Sequence, residues 1–126
     1  MSKRILIVDD EDDIREVAAL SLETVAGYQV LSARSGRDAL GIAAAEHPDA
    51  ILLDVMMPDM DGPTTLQKLQ AQASTADIPV VFLTAKVQPS ERARFASLGA
   101  AAVLPKPFDP LTLAAELAAA LGWPTP

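Results

Sequence analysis

The chain contains no cysteine and a single histidine, His47. The first absence excludes disulfides, thiolate metal sites and thiol nucleophiles, and the second excludes any site built from several imidazoles. A metal bound here has to be held by oxygen. Aromatic residues are scarce as well, 4% of a chain that is 50% apolar. No apolar run reaches the roughly 18 to 20 residues needed to span a bilayer, and the nearest, Leu111 to Trp123, is broken by Glu116. Met1-Ser2-Lys3-Arg4 leads straight into a strand-like segment and not into the apolar core of a signal peptide. A soluble, cytoplasmic protein is expected. A cationic surplus is also lacking: the net charge of -7 argues against direct binding to nucleic acid or an anionic membrane, both of which need a basic surface. Linkers, internal repeats and low-complexity stretches are missing beyond an alanine bias. At 126 residues the expectation is one stand-alone domain spanning 1–126, with its core at about 3–122 and a short tail at 123–126.

What is present is a regular alternation. Short apolar, β-branched runs occur at Arg4 to Val8, Tyr28 to Ser32, Ala50 to Leu53, Ile78 to Leu83 and Ala101 to Leu104. Helical patterns lie between them. Glu11 to Ala26 carries Ile14, Val17, Ala18 and Leu22 at helical spacing, with Gly27 just past its end. Ser35 and Asp38 form a capping-box pattern for a second helix that ends near His47-Pro48. Gly62-Pro63 opens a third, Ser90 is placed to cap a fourth that Gly99 stops, and Asp109-Pro110 opens a fifth that ends at Gly122. Strand and helix alternating five times predict an α/β fold, a doubly wound (βα)5 parallel sheet with helices on both faces.

Sites in such sheets form beyond the carboxyl ends of the strands. After the first run come Asp9-Asp10, after the third Asp54, after the fourth Thr84 and after the fifth Lys106, whereas the second ends in an uninformative Ser32-Ala33. For the decorated ends to share one site, strand 2 must lie at an edge, which gives the flavodoxin-like order 2-1-3-4-5. Pro105 agrees with strand 5 at the other edge, since proline removes a ladder donor.

Three carboxylates converging there repel one another by about 4 kcal/mol per pair at ~4 Å and an effective dielectric of ~20. A divalent cation resolves the conflict. With oxygen donors alone the expected ion is Mg²⁺, or Mn²⁺. Lys106 and Thr84 then suit the oxygens of a phosphoryl group, and Asp54 becomes a carboxylate nucleophile that forms an aspartyl-phosphate.

The segments "ILIVDDE", "LLDVMMPDMDG", "VFLTA" and "PKPFDP", in this order and spacing, resemble a response-regulator receiver domain over essentially the whole chain. The resemblance implies a phosphoacceptor switch of a two-component phosphorelay, not a conventional enzyme. It implies that Asp54 takes phosphate from the phosphohistidine of a histidine kinase or a histidine phosphotransfer protein. Asp10, Asp54 and the Met56 backbone carbonyl would ligate Mg²⁺, with Asp9 acting through a metal-bound water. Thr84, the Ala85 backbone and Lys106 would contact the phosphoryl group, and the Lys106-Pro107 bond is expected to be cis. Met56 and Lys86 take loop positions that flank the phosphate. A downstream protein would be met through the fourth helix, fifth strand and fifth helix, by a monomer or a phosphorylation-dependent dimer. Many receivers carry an inward-turning aromatic three residues before the lysine, where this chain has Val103. Signalling is therefore expected to rely on the loop after Thr84 and on the fourth helix.

Two alternatives share the same residues. A phosphatase of the haloacid-dehalogenase type would place a second aspartate two residues after Asp54, where Met56 stands. A degenerate receiver acting only as a binding module would not need the complete set Asp9, Asp10, Asp54, Thr84 and Lys106. A calcium loop at 59–62 fails on register, because its glycine would place Met57 at the first ligand and Lys68 at the bidentate glutamate.

Overall fold

The computed structural model describes residues 2–126. Five strands, β1 (Arg4–Val8), β2 (Gln29–Ala33), β3 (Ala50–Asp54), β4 (Val80–Thr84) and β5 (Ala102–Pro105), alternate with α1 (Asp12–Ala26), α2 (Gly36–Glu46), α3 (Gly62–Ala71), α4 (Pro89–Ser97) and α5 (Leu113–Leu121). All strand pairs are parallel, in the order β2-β1-β3-β4-β5. This is the flavodoxin-like order that the strand-end residues required.

The central strands are buried on both faces, and their period of two divides the core. Leu6, Val8, Ile51, Leu53, Val80 and Phe82 point to one side, with Leu66 and Leu69 of α3 and Phe95 of α4. Ile5, Ile7, Ala50, Leu52, Val81 and Leu83 point to the other, with Ala18 and Leu22 of α1 and Leu113 and Leu117 of α5. Phe82 and Phe95 meet edge to face, ring centroids 4.9 Å apart, an arrangement that suits their quadrupoles. Trp123 packs its edge on Tyr28, centroids 5.8 Å apart, with the Lys3 ammonium 4.9 Å from the indole centre.

The ends of several helices differ from the sequence expectation, for local reasons. α4 starts at Pro89 behind Gln88, so Ser90 lies inside its first turn and is not the cap. Proline at the first helical position sets that start. Asp109-Pro110 does not open α5 directly. The Asp109 carboxylate accepts the Leu111 amide and its carbonyl accepts those of Thr112 and Leu113, so a separate turn precedes the helix at Leu113. Of the helically spaced residues of α1, Ala18 and Leu22 are buried, together with Ser21, whereas Val17 is 44% exposed. The Ser21 hydroxyl donates to the Pro110 carbonyl, so small side chains line the seam with α5.

The Ser35 cap follows the sequence, and α3 adds one, Asp61, that was not singled out in the sequence. The Ser35 hydroxyl accepts the Asp38 amide at 3.0 Å, and Asp61 accepts that of Thr64 at 2.9 Å to begin α3.

Candidate functional site

Ladder hydrogen bonds continue past the strand ends into the residues of interest, which fixes their positions. The Asp9 amide donates to the Ala33 carbonyl of β2 at 3.2 Å, Val55 to Leu83 of β4 at 3.2 Å and Lys106 to Thr84 of β4 at 2.9 Å. Beyond β3 the chain must turn at once. The Gly62 amide closes the loop onto the Val55 carbonyl at 2.9 Å, and a Cβ on Gly62 would lie 2.7 Å from the Asp54 carbonyl oxygen.

Asp9, Asp10 and Asp54 converge, each offering a carboxylate oxygen within 4.8 Å of the others. Asp9 and Asp54 are buried and Asp10 is exposed, so the cluster has one open side. Lys106 reaches in from beyond β5. Its Nζ lies 2.9 Å from Asp9 Oδ2 and 3.4 Å from Asp54 Oδ1. The Lys106–Pro107 peptide is cis. Three carboxylates against one ammonium leave a charge deficit, and the protonation equilibria respond to it. Burial, then the charge of Asp9, push the Asp54 carboxyl up to about 6 despite Lys106 and the Met56 amide. For Lys106 burial works downward, but the hydrogen bond and charge of Asp9, followed by those of Asp54, outweigh it and leave the ammonium more firmly protonated than usual. The donor chemistry fits a hard divalent cation: carboxylate oxygens only, two buried and one open to water.

Thr84 is buried at the end of β4, and its Oγ1 accepts the Lys86 amide at 3.1 Å. That contact leaves the hydroxyl proton free to donate. Ala85 and Lys86 are exposed immediately after it. The Met56 amide lies 3.4 Å from Asp54 Oδ1, while its side chain is 70% exposed. Val103 is buried, with no aromatic at its position. The lone histidine is far from this chemistry: exposed His47 ends α2 with φ 44° and pairs with Asp77 at 3.2 Å.

Two arginines join the picture without having been singled out in the sequence. Arg15 Nη1 donates to the Asp9 carbonyl at 2.7 Å, and its other nitrogen pairs with Asp12. Arg92 bonds to backbone carbonyls beyond β4 and on β5. The only sequence signal for Arg15 was its place three residues after Asp12 on a helix. For Arg92 there was none, because backbone carbonyls carry no residue identity.

Residues 5–118 match the family model described as response regulator receiver domain. The chain is 40% identical over 121 residues to the phosphate regulon transcriptional regulatory protein PhoB of Pseudomonas aeruginosa, covering 96% of this chain and 52% of that protein. It is 42% identical over 126 residues to the response regulator MprA of Mycolicibacterium vanbaalenii, covering 100% and 53%. The chain thus spans about half the length of these curated relatives. Among solved structures, the chemotaxis response regulator CheY4 of Vibrio cholerae superposes with a TM-score of 0.88 at 33% identity, covering 95% of this chain and 99% of that one. The N-terminal domain of a response regulator receiver protein from Methanoculleus marisnigri gives 0.77 at 36%, covering 97% and 98%. Among the described residues no helix is long and apolar enough to cross a membrane. With the acidic cluster and its lysine in place at the strand ends, these matches identify the chain as a member of the response-regulator receiver family, a two-component signalling module and not a conventional enzyme.

Proposed function

We propose that Asp54 is the phosphoacceptor of this receiver and that the described residues form one domain that switches when Asp54 is phosphorylated. The observation that carries this reading is the pairing of Lys106 Nζ with both buried carboxylates, Asp9 and Asp54. That ammonium stands where a phosphoryl oxygen on Asp54 would need a counter-charge. A histidine kinase is the partner that the family implies, and a phosphohistidine is its donor. In the transfer, an Asp54 Oδ–P bond forms as the P–N bond breaks, and the electron pair of that bond returns to the imidazole nitrogen.

Asp10, Asp54 and the Met56 carbonyl are the groups assigned to a Mg²⁺ ion, with Asp9 acting through water. When bound, the ion supplies charge neutralisation between the carboxylates and the phosphoryl oxygens. The protein's own part is positioning. β3 fixes Asp54 at its end, Lys106 offsets charge, and the free hydroxyl proton of Thr84 and the Ala85 amide are available to phosphoryl oxygens. The raised Asp54 pKa supports the need for a cation, since burial and the Asp9 charge make the ionised nucleophile costlier here than in water.

The test is intact-mass measurement after incubation with acetyl phosphate and Mg²⁺. A single phosphoryl adduct is expected on the wild-type chain and none on Asp54→Asn or in EDTA. Rapid turnover of an unrelated phosphate ester would assign a phosphatase instead, and no adduct at all a binding module.

A further inference from the structure

Arg92 takes no part in the chemistry above, yet it joins three pieces of the molecule. Its Nε donates to the Val87 carbonyl in the β4–α4 loop at 3.1 Å, and its Nη1 donates to the Val103 carbonyl of β5 at 3.2 Å. The residue itself lies in the opening turns of α4. A cation there faces the positive end of the helix dipole, so its placement is unfavourable unless nearby acceptors compensate. The two carbonyls do so, and both bonds are charge-assisted.

The segment that Arg92 ties down is otherwise lightly held. Ala85, Lys86, Gln88, Pro89 and Ser90 are exposed, and α4 buries only Phe95. A continuous route runs through it. Thr84 Oγ1 holds the Lys86 amide, Val87 follows, its carbonyl is held by Arg92, and Arg92 ends on Val103. A phosphoryl group that draws the Thr84 hydroxyl toward Asp54 disturbs the Lys86 contact, and the displacement is resisted at the guanidinium.

We propose that Arg92 is a positioning residue that restrains the β4–α4 loop in its unphosphorylated arrangement, so that phosphorylation of Asp54 works against it. In this chain the restraint ends on the backbone of Val103, at the position that has no aromatic side chain to move. The proposal rests on the phosphoacceptor reading, and it makes a prediction of unusual sign. Loss of a contact that merely maintained the fold would slow phosphorylation or leave it unchanged, whereas loss of a restraint accelerates it by raising the population of the competent loop.

The experiment compares the wild-type chain with R92Q and R92K, using Asp54→Asn as the blank. Initial rates of adduct formation with acetyl phosphate and Mg²⁺ are read by intact mass. Amide hydrogen exchange is read on the unphosphorylated proteins for residues 84–92, with β1 as reference. R92Q is expected to be labelled roughly three- to tenfold faster, with faster exchange over 84–92 and none in β1. R92K, which keeps the charge but loses the planar fork, should fall between. Equal or slower labelling of R92Q alongside a normal wild-type adduct overturns the restraint, as does unchanged exchange over 84–92. If no protein is labelled, the phosphoacceptor reading falls, and exchange alone decides whether Arg92 restrains the loop. Should R92Q loosen β1 as well, R92K carries the comparison, and a rate equal to wild type overturns the proposal.

Discussion

Asp54 is the residue at which the cost of function is most visible. Its carboxyl titrates near 6 in place of 3.8, so the folded protein holds that proton more tightly than the unfolded chain does. The stability linked to the proton is fully present below about pH 4 and is lost as pH rises through 6. In EDTA, wild type should therefore be less stable than Asp54→Asn at neutral pH. Two pH units correspond to roughly 2.7 kcal/mol, which the open side at Asp10 and solvent screening reduce to about 1–2 kcal/mol. Urea titrations at pH 4.5 and pH 7.5 would show the gap about one third open at the first and fully open at the second. A constant gap would assign the effect to packing and not to charge. Every residue of this cluster was legible in the sequence, because each is a charged or hydroxyl side chain within two residues of the end of an apolar run. Arg92 was not, because both its partners are carbonyls that any residue supplies.

Elements were legible in their order and less so at their ends. The cap at Ser35 was legible because a hydroxyl and an amide three residues apart have one obvious arrangement, though the Asp38 carboxylate faces Arg34 and does not complete the box. Asp109 misled because the same side chain also forms an Asx-type turn, which here delays α5 to Leu113. Pro89 carried the right signal for α4, as Pro63 does one position later in α3, but Ser90 was the more familiar cap. Between β3 and α3 the chain passes so close to itself that a side chain on Gly62 would meet the Asp54 carbonyl at 2.7 Å and Val55 Cα at 2.8 Å. Gly62→Ala should accordingly cost about 1–3 kcal/mol and slow phosphorylation by displacing the Asp54 backbone. Gly41, inside α2 with nothing within 4 Å of a Cβ, provides the control. Gly41→Ala should gain about 0.5–1 kcal/mol, and urea midpoints of the two variants should move in opposite directions.

For the whole molecule, the sheet order was legible in the sequence because four decorated strand ends had to be neighbours to share a site, and β2 alone had nothing to contribute. Division of the core was equally implicit, since alternate residues of β1, β3 and β4 feed opposite faces. Placement of Val17 was not, because its exposure depends on how closely α1 approaches α5. A cation that binds only the folded chain adds to its stability by mass action. Mg²⁺ at ten times its dissociation constant should contribute about 1.4 kcal/mol, raising Tm by roughly 3–6 °C, and Asp10→Asn should abolish that shift. The edge-to-face packing of Trp123 and Tyr28, with Lys3 above the indole, lends this measurement an optical label. The sole tryptophan packs beside the residue that precedes β2, at the sheet end opposite the acidic cluster. Its fluorescence should therefore ignore a Mg²⁺ titration and shift to the red only when the chain unfolds, so one emission spectrum separates occupancy of the site from loss of the fold.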